Sequence, residues 1–328
     1  MMKVLVTGSA GHLGEALMRT FAAQQVTAVG VDVKQSEYTT AVGSIANRDF
    51  VEAQMQGITH VYHTATLHKP HVATHTRQDF IDTNITGTLN LLESAHRQQV
   101  KSFVFTSTTS VFGDAMRPST SQPAAWVTEE TRPIPKNIYG ATKTAAEDLC
   151  QLFHRNQGMN CIVLRTSRFF PEDDDDKNKR EAFTSKNLKA NEFLFRRADI
   201  SDIVSAHLVA AAKAPEIGFG RYIISATTPF REQDLLELRN AAPSVLARYM
   251  PEYEAIYANL GWQMFAGIDR VYVNEKARKE LQWQPQYDFK HWLNCLQQGT
   301  EPNSSMVKTI GQKGYHETVF TEGPYPVE

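Results

Sequence analysis

The sequence has few cysteines and no long hydrophobic run. Cys150, Cys161 and Cys295 are the three cysteines among 328 residues, and they form no Cys-x-x-Cys pair. We therefore expect free thiols in a reducing compartment and no disulfide framework. No apolar stretch approaches the roughly 20 residues of a membrane-spanning helix, and the first residues lack the pattern of a secretory signal. These absences favour a cytoplasmic protein without a membrane partner.

An excess of charge of one sign is also missing. The chain has 34 Lys and Arg residues against 36 Asp and Glu residues, which gives a formal net charge of −2. Without a basic field, the protein is not expected to hold nucleic acid or an anionic membrane. Hydrophobic residues make up 41% and charged residues 21% of the chain, which is typical of a globular protein with a sizeable core.

Strand and helix patterns alternate through the first half of the chain. Five short apolar runs are separated by segments with apolar residues at helical spacing. This alternation predicts an α/β fold with a doubly wound parallel sheet and helices on both faces. In such sheets, ligands bind at the carboxyl ends of the strands. The predicted strands are Lys3–Thr7, Val26–Asp32, His60–Thr64, Phe103–Ser107 and Asn160–Leu164, and the predicted helices are His12–Gln24, Asn47–Gln56, Asp79–Gln99 and Asn137–Asn156.

The alternation breaks after residue 165, which predicts two interleaved parts. Residues 1–165 form the first part, and residues 200–226 rejoin it with one more helix and strand. Residues 166–199 and 227–298 have shorter helices and are predicted to form a smaller substrate-binding region. Residues 299–328 form an extended C-terminal tail, which we expect to pack against the body of the protein because it is rich in aromatic residues.

Three glycines follow the first predicted strand and open the first predicted helix. Gly8 permits a tight turn, Gly11 lets the backbone approach a phosphate closely, and Gly14 lets the helix pack on the strand. The start of the helix adds N–H groups and the positive end of the helix dipole. Together these features predict a site for the pyrophosphate of a dinucleotide.

An acid, Asp32, ends the second predicted strand. A carboxylate at this place accepts hydrogen bonds from the hydroxyls of an adenosine ribose and repels a 2′-phosphate, so NAD is favoured over NADP. Lys34 lies two residues further along the chain, and a cation there would tolerate the phosphate. The sequence therefore leaves the use of NADP open.

Tyr139 and Lys143 lie four residues apart in a predicted helix and share a face. A free tyrosine has a pKa of about 10 and is a poor base near neutral pH. A neighbouring ammonium and a positively charged nicotinamide both favour the phenolate. Tyr139 is therefore predicted to move a proton while a nicotinamide cofactor moves a hydride.

In these motifs the chain resembles the extended short-chain dehydrogenases/reductases of the NAD-dependent epimerase/dehydratase type. The resemblance extends to His63–Thr66, Asn84–Leu92, Ser107–Gly113, Leu164–Arg165 and Lys276–Pro285. It implies a Rossmann domain that binds NAD in residues 1–165 and a sugar-like small molecule as substrate. It also implies a homodimer formed through the helices 79–99 and 137–156.

The resemblance further implies which residues do the chemistry and hold the cofactor. Thr108, Tyr139 and Lys143 are the implied catalytic residues. The implied NAD-binding residues are Gly8, Gly11, His12, Leu13, Gly14, Asp32, Ser44, Ile45, Thr64, Ala65, Thr66, Asn84, Thr106, Tyr139 and Lys143.

The implied substrate-binding positions depart from the family pattern. Family dehydratases carry carboxylates where this chain has Thr109 and Ser110, and hydroxyls cannot perform the acid/base step of an elimination near neutral pH. Arg168 replaces an asparagine that helps to hold a diphosphate, and an arginine can clamp a phosphate or a carboxylate. The acidic run Asp173–Asp176 that follows is expected to be a solvated, mobile loop.

The sequence thus predicts an NAD-dependent epimerase or oxidoreductase that acts on a sugar or sugar-nucleotide hydroxyl, with C4-type epimerisation favoured over dehydration. An NAD(P)-dependent dehydrogenase or reductase of a non-nucleotide alcohol or ketone is the alternative, and a non-catalytic NAD sensor is less favoured. No metal is expected. His68, His71 and His75 nearly share a helical face, but they have no cysteine or obvious carboxylate partner.

Overall fold

The secondary structure follows the predicted alternation of strands and helices. A computed structural model describes residues 2–119, 121–314, 316, 320 and 323. The strands are β1 (Lys3–Thr7), β2 (Thr27–Asp32), β3 (Ala41–Val42), β4 (His60–His63), β5 (Ser102–Thr108), β6 (Ala125–Val127), β7 (Cys161–Thr166), β8 (Phe219–Ile224) and β9 (Arg270–Tyr272). The α-helices are α1 (His12–Ala23), α2 (Arg48–Gln54), α3 (Arg77–Phe80), α4 (Gly87–Arg97), α5 (Ile138–Gln157), α6 (Lys177–Ala182), α7 (Ser185–Glu192), α8 (Ile200–Ile217), α9 (Leu235–Leu238), α10 (Ala242–Tyr249), α11 (Tyr253–Leu260), α12 (Phe289–Gln298) and α13 (Ser305–Ile310).

Seven strands form one sheet in the order β3-β2-β1-β4-β5-β7-β8. β1 pairs in parallel with both β2 and β4, and β5 pairs in parallel with both β4 and β7. The register places Thr7 of β1 beside His63 of β4, so the carboxyl ends of these two strands lie together. The predicted doubly wound α/β fold is confirmed.

The chain divides into two compact units. The first comprises Met1–Val111, Pro135–Thr166 and Ile203–Tyr222, and the second comprises Phe112–Ile134, Ser167–Asp202 and Ile223–Glu328. One buried apolar cluster of the first unit lies among its parallel strands and helices and includes Leu5, Val61, Phe103, Leu92 and Val163. The core of the second unit lies among α7 and α9–α12 and includes Phe193, Leu246, Val271, Phe289 and Trp292. The binding roles predicted for the two parts of the chain stay predictions.

Local sequence explains where α5 begins and ends. The Asn137 side chain caps its first turn by accepting the backbone N–H of Gly140 at 3.1 Å. The helix stops at Gly158, which adopts a left-handed conformation with φ of 69°, a conformation that glycine reaches without steric cost. The cap therefore fixes where the turn that carries Tyr139 and Gly140 starts.

The long helix predicted at Asp79–Gln99 spans α3 and α4, and a π-helical segment, Ile81–Thr86, joins them. Helical spacing alone does not reveal such a segment, because one wider turn leaves the apolar pattern almost unchanged. The segment includes Asn84, one of the predicted cofactor residues. None of the helices in the described ranges has the length and apolar character that crossing a membrane would take.

The expectation that Asp173–Asp176 is solvated holds for Asp173 and Asp176, which are exposed, but is wrong for Asp174, and the mobility of the loop stays a prediction. Asp174 is only 4% exposed and pairs with two arginines, Arg168 at 2.5 Å and Arg196 at 3.3 Å. Asp176 caps α6 by accepting the backbone N–H of Asn178 at 3.1 Å. Asp174 thus neutralises partly buried arginines and Asp176 starts a helix, which residue type alone does not reveal.

The first part of the C-terminal tail packs on the second unit, as its composition predicts. Ser304 donates its backbone N–H and its hydroxyl to the two carboxylate oxygens of Asp199, at 3.0 and 2.5 Å. Ile310 at the end of α13 is 8% exposed. The aromatic residues Tyr315 and Tyr325, which contributed to this expectation, lie outside the described residues.

Candidate active site

The glycine turn between β1 and α1 is tight, and two of its glycines, Gly8 and Gly14, have no room for a side chain. Gly8 has φ of 75°, and a Cβ there would lie 2.8 Å from the backbone nitrogen of Ala65. At Gly14 a Cβ would lie 1.9 Å from the carbonyl oxygen of Gly8. Gly8 also donates its N–H to the Val31 carbonyl at 2.8 Å, which ties the turn to β2.

Gly11 has a different environment, and this environment fits a bound pyrophosphate. A Cβ at Gly11 would meet one neighbour within 4 Å, the Gly8 carbonyl oxygen at 3.3 Å, so the backbone there is approachable. Gly11 is the N-cap of α1, and the first N–H groups of a helix have no partner within the helix. His12, Leu13 and Gly14 form the first turn of α1. The positive end of the helix dipole therefore lies next to the Gly11 backbone, where a pyrophosphate would bind.

The Asp32 carboxylate is held in place by backbone donors. Its Oδ2 accepts the N–H of Ala10 at 3.0 Å, and its Oδ1 accepts the N–H of Lys34 at 2.9 Å. Because a carboxylate has about four acceptor positions, each oxygen can still accept a ribose hydroxyl. The structure brings Asp32 next to the glycine turn through Ala10, as the sequence predicts for a dinucleotide site.

Replacing Asp32 with alanine is expected to relax cofactor choice. The loss of charge-assisted hydrogen bonds to the ribose, each worth about 1.5–3 kcal/mol, lowers NAD affinity by roughly tenfold or more. Removal of the negative charge lets the 2′-phosphate of NADP approach, so the ratio of the two Kd values moves toward NADP. Isothermal titration calorimetry with both dinucleotides measures the ratio, and Glu37→Ala, which removes another acid after β2, is the matched control. An unchanged ratio in Asp32→Ala would show that this carboxylate does not contact the ribose.

Partly buried hydrogen bonds hold the Thr64–Thr66 segment against the end of β1. Thr7 Oγ1 accepts the backbone N–H groups of Thr64 and Ala65, both at 3.1 Å, and Thr64 Oγ1 donates to the Thr7 carbonyl at 2.6 Å. Thr66 Oγ1 donates to the side-chain oxygen of Asn84 at 2.9 Å. The structure thus brings Thr64, Ala65 and Thr66 to the carboxyl ends of β1 and β4.

Asn84, predicted to contact NAD or to shape its site, is 2% exposed, and its side chain bonds within the protein. Its Oδ1 also accepts the Leu67 N–H at 2.9 Å, and its Nδ2 donates to the Leu67 carbonyl at 2.9 Å and to Thr142 Oγ1 at 3.0 Å. These bonds join the loop after β4 to α5. The geometry therefore favours the shaping role.

Ser44 and Ile45 follow β3 and are held locally. Ser44 Oγ accepts the Ala46 N–H at 3.2 Å, and the Ile45 carbonyl accepts from Asn90 Nδ2 at 3.0 Å. Ile45 is 5% exposed and contacts Gly87, where a Cβ would lie 2.6 Å from the Ile45 side chain. The described contacts therefore make Ile45 a packing residue, whereas Ser44 remains partly exposed.

Tyr139, Lys143 and Thr108 come together where α5 packs on β5. The Thr108 side chain lies close enough to Tyr139 to lower the pKa of its hydroxyl. Lys143 Nζ donates to the Thr106 carbonyl at 2.6 Å and lies 4.0 Å from the centre of the Phe105 ring. Tyr139 and Thr108 are each 8% exposed and Lys143 is 2% exposed, so the three groups meet in a largely desolvated place.

Burial shifts the pKa values of both helix residues toward the neutral forms. It raises the pKa of Tyr139 to about 12, and the Thr108 hydrogen bond only partly opposes this shift. It lowers the pKa of Lys143 from 10.5 to about 7, against the opposing effect of the Glu147 carboxylate. The four-residue spacing to Lys143 predicts that Tyr139 forms its phenolate more easily. In the protein without cofactor this does not happen, because the effect of desolvation on the Tyr139 pKa is larger.

Gly140 allows this close packing. A Cβ on Gly140 would lie 2.9 Å from the Ser110 carbonyl oxygen and 3.2 Å from Pro135 Cβ. Ser110 in turn donates its backbone N–H to Thr108 Oγ1 at 3.1 Å, and Thr109 is 7% exposed. The predicted substrate residues Thr109 and Ser110 therefore adjoin Thr108 directly.

Comparison with known proteins assigns the chain to a family. The model of the family described as NAD dependent epimerase/dehydratase family matches residues 4–218. The chain belongs to the NAD-dependent epimerase/dehydratase family. This family is NAD dependent, so NAD is the cofactor of this chain.

Curated relatives of this family member differ in their reactions. A dTDP-glucose 4,6-dehydratase of Escherichia coli is 30% identical over 207 residues, which cover 52% of this chain and 57% of that protein. A 3-beta-hydroxysteroid dehydrogenase of Mycolicibacterium neoaurum is 24% identical across 93% of both chains. The chain thus spans little more than half the length of the dehydratase but nearly all of the steroid dehydrogenase.

A solved structure of a UDP-glucuronic acid 4-epimerase from Bacillus cereus in complex with NAD has the same fold. It aligns with a TM-score of 0.61 at 20% identity and covers 93% of this chain and 99% of that chain. At this identity the likeness shows the fold and leaves the reaction open.

Arg168 is the third predicted substrate residue. It lies in the second unit of the chain and forms ion pairs there. Its Nη1 atom lies 2.5 Å from Asp174, 3.5 Å from Glu192 and 3.9 Å from Asp175. Burial opposes ionisation of Glu192, but three arginines outweigh that effect and lower its pKa. Arg168 therefore neutralises carboxylates of its own chain.

Sequence reasoning missed a buried group of charges beneath Tyr139 and Lys143. Glu147, on the same face of α5, is 1% exposed and pairs with Arg165 at 2.8 Å and Arg221 at 3.1 Å. The Lys-x-x-x-Glu spacing was a signal that could have pointed to Glu147. The sequence offers no comparable signal for its two arginine partners, since they come from distant strands.

Within the residues that the structure describes, no group of three or more His, Cys, Asp or Glu side chains is placed to hold a metal ion. The rings of His68, His71 and His75 contact one another, with centroids 4.6 and 5.0 Å apart. Edge-to-face ring packing accounts for their proximity.

Proposed function

We propose that this enzyme interconverts an alcohol and a ketone at a secondary hydroxyl of a sugar or sugar nucleotide, with C4-type epimerisation favoured over dehydration. The observation that supports this most is the buried Tyr139 side chain, one helical turn from Lys143 and close enough to the Thr108 side chain for Thr108 to lower its pKa. A desolvated phenol beside a hydroxyl and an ammonium is suited to move one proton.

The proposed roles follow from the contacts of each side chain. Bound NAD would supply a hydride acceptor and donor. The residues of the glycine turn, Gly8 to Gly14, would hold its pyrophosphate, Asp32 its adenosine ribose and Lys143 its nicotinamide ribose. With the positive charges of Lys143 and of bound NAD favouring its phenolate, Tyr139 Oη would take the proton from the substrate hydroxyl and return it, while Thr108 Oγ1 orients the same hydroxyl.

The groups that adjoin Tyr139 favour epimerisation over elimination. Elimination of water needs an additional acid or base, and family dehydratases carry carboxylates where Thr109 and Ser110 stand in this chain. The nearby carboxylate of Glu147 is held by Arg165 and Arg221. Proton transfer by a single tyrosine suffices for a C4-type epimerisation, because the same hydroxyl loses and regains its proton.

A second function, oxidation or reduction of a non-nucleotide alcohol or ketone, is favoured by the state of Arg168. Asp174, Asp175 and Glu192 neutralise this arginine together with Arg196, so its charge is already matched within the chain. The relatives include the steroid dehydrogenase named above and a uronate dehydrogenase of Pseudomonas syringae, which is 24% identical over 52% of this chain. Both of those names describe substrates without a nucleotide.

Product analysis in D₂O distinguishes these reactions. The enzyme with NAD is incubated with UDP-sugars, dTDP-glucose, free uronates and a 3β-hydroxysteroid, and the products are followed by NMR and by NADH absorbance. The proposal predicts an inverted sugar carbon without net NADH. Stoichiometric NADH with a nucleotide-free substrate would instead support the second function, and a 4-keto-6-deoxy product carrying deuterium would contradict the exclusion of dehydration. The homodimer and the cytoplasmic location stay predictions.

A further inference from the structure

We infer that Glu147 is a positioning residue of the active site. It keeps the Tyr139 and Lys143 face of α5 in register with β5, and it supplies a negative charge that favours the protonated form of Lys143. This inference rests on the roles proposed above for Tyr139 and Lys143.

The first support is the register between α5 and β5. Three successive strand residues each contact one residue of the helix face. The Thr106 carbonyl accepts from Lys143 Nζ at 2.6 Å, and Ser107 Oγ donates to Glu147 Oε1 at 2.5 Å. The Thr108 side chain lies close enough to Tyr139 to lower the pKa of its hydroxyl. A displacement of Glu147 would therefore move the two neighbouring contacts as well.

The second support is the number of donors around the Glu147 carboxylate. In addition to Ser107, Arg165 donates from Nε at 3.1 and 3.2 Å and from Nη2 at 2.8 Å, and Arg221 donates from Nε at 3.1 Å. These donors come from β5, β7 and β8. A buried carboxylate bonded from three strands cannot rotate freely, so it fixes one turn of α5 against the sheet.

The third support is the charge that Lys143 meets. Glu147 lies one helical turn from Lys143, and its carboxylate raises the pKa of Lys143 while burial lowers it to about 7. Arg165 and Arg221 also pair with Glu147, and Arg221 divides its charge between Glu147 and Asp148, 2.9 Å away. Near neutral pH the balance among these groups decides how much of Lys143 carries its proton.

The other titratable groups around Lys143 on the described elements leave Glu147 as its principal anion. On α5, Tyr139 and Cys150 are neutral near pH 7 because burial raises both pKa values. On β4, His63 is neutral because burial and the Lys143 charge lower its pKa. β5 contributes the Phe105 ring and the Thr106 carbonyl. On the other elements packed against α5, the charged or titratable groups are Arg77 and Asp79 of α3, Asp82 of the π-helical segment, Glu93, His96 and Arg97 of α4, Cys161 and Arg165 of β7, and Arg221 of β8.

A direct test is the titration of Lys143 by NMR in protein labelled with ¹³C at lysine Cε, with the signal assigned through Lys143→Arg. The measurement uses cofactor-free protein and no substrate. In Glu147→Gln the midpoint is expected to move down by roughly one pH unit, since an anion near an ammonium favours its charged form. Asp148→Asn removes an acid from the next position of the same helix and is expected to move the midpoint down by much less, because it acts on Glu147 only by freeing Arg221.

Arg221→Gln provides a second test in case Glu147→Gln does not fold. Arg221→Gln removes a cation that competes for Glu147, so the Lys143 midpoint is expected to rise. An unchanged midpoint in Glu147→Gln, or in Arg221→Gln where the first variant does not fold, would overturn the inference. An equal shift in Asp148→Asn would overturn it as well. Because the experiment measures the Lys143 titration and no turnover, it tests the inference whether or not the proposed reaction is correct.

Discussion

Tyr139→Phe is expected to lower turnover by about 10²- to 10⁴-fold, the usual contribution of a positioned acid/base group, while NAD still binds. The change removes one oxygen of a side chain that is 8% exposed, and the ring keeps its place in the first turn of α5. Because NAD is expected to bind mainly through the glycine turn and Asp32, the Kd for NAD should change little. Turnover with the substrate found by product analysis, together with NAD titration, measures both quantities.

Tyr62→Phe is the matched control for this experiment. Tyr62 is also buried in the first unit, at 1% exposure, and its ring packs on Phe21 with centroids 5.0 Å apart. The control should keep wild-type turnover. Full turnover in Tyr139→Phe would show that another group moves the proton and would overturn the proposed function.

The glycine turn must let α1 pack closely on β1 and must let the pyrophosphate approach its backbone. Gly14→Ala is expected to disrupt the first, and Gly11→Ala only the second. A Cβ at Gly14 would lie 1.9 Å from the Gly8 carbonyl oxygen and 2.6 Å from its carbonyl carbon. Backbone atoms cannot move aside as the end of a side chain can, so α1 would have to shift away from β1. We expect a loss of more than about 4 kcal/mol in the free energy of unfolding and no measurable NAD binding.

Gly11→Ala should preserve the fold and still lose the cofactor. Gly11 has φ of −78°, which alanine adopts readily, and its Cβ would meet only the Gly8 carbonyl oxygen, at 3.3 Å. Stability should therefore change by less than about 1 kcal/mol. The added methyl group lies where a pyrophosphate would approach, so NAD affinity should fall at least roughly tenfold. Urea unfolding and calorimetry measure the two effects, and normal NAD binding by Gly11→Ala would contradict the proposed cradle.

The sheet and the glycine turn could be predicted from sequence because their signals are local. The strand β1 shows an apolar run, and Gly8 and Gly14 stand where a turn and a close helix contact need them. The strands β6 and β9 were missed, because each has three residues and they pair across more than a hundred positions of the chain. Short runs of this length do not show a period that can be recognised.

Charge pairing was the other part of the structure that the sequence did not reveal. Asp174 and Arg168 each look like solvated or ligand-binding residues in isolation, but they neutralise each other at 2.5 Å. Similarly, the pKa of Tyr139 depends on burial, and spacing to Lys143 carries no information on desolvation. Both properties arise only when segments distant in sequence pack together.

The most direct test of the account is a crystal structure of this enzyme with NAD bound. The account predicts the pyrophosphate at the Gly11 backbone, the adenosine ribose on Asp32, the nicotinamide ring beside the Tyr139 hydroxyl and Lys143 within hydrogen-bond distance of the adjoining ribose. A nicotinamide ring bound elsewhere, with Tyr139 and Lys143 both out of its reach, would contradict it.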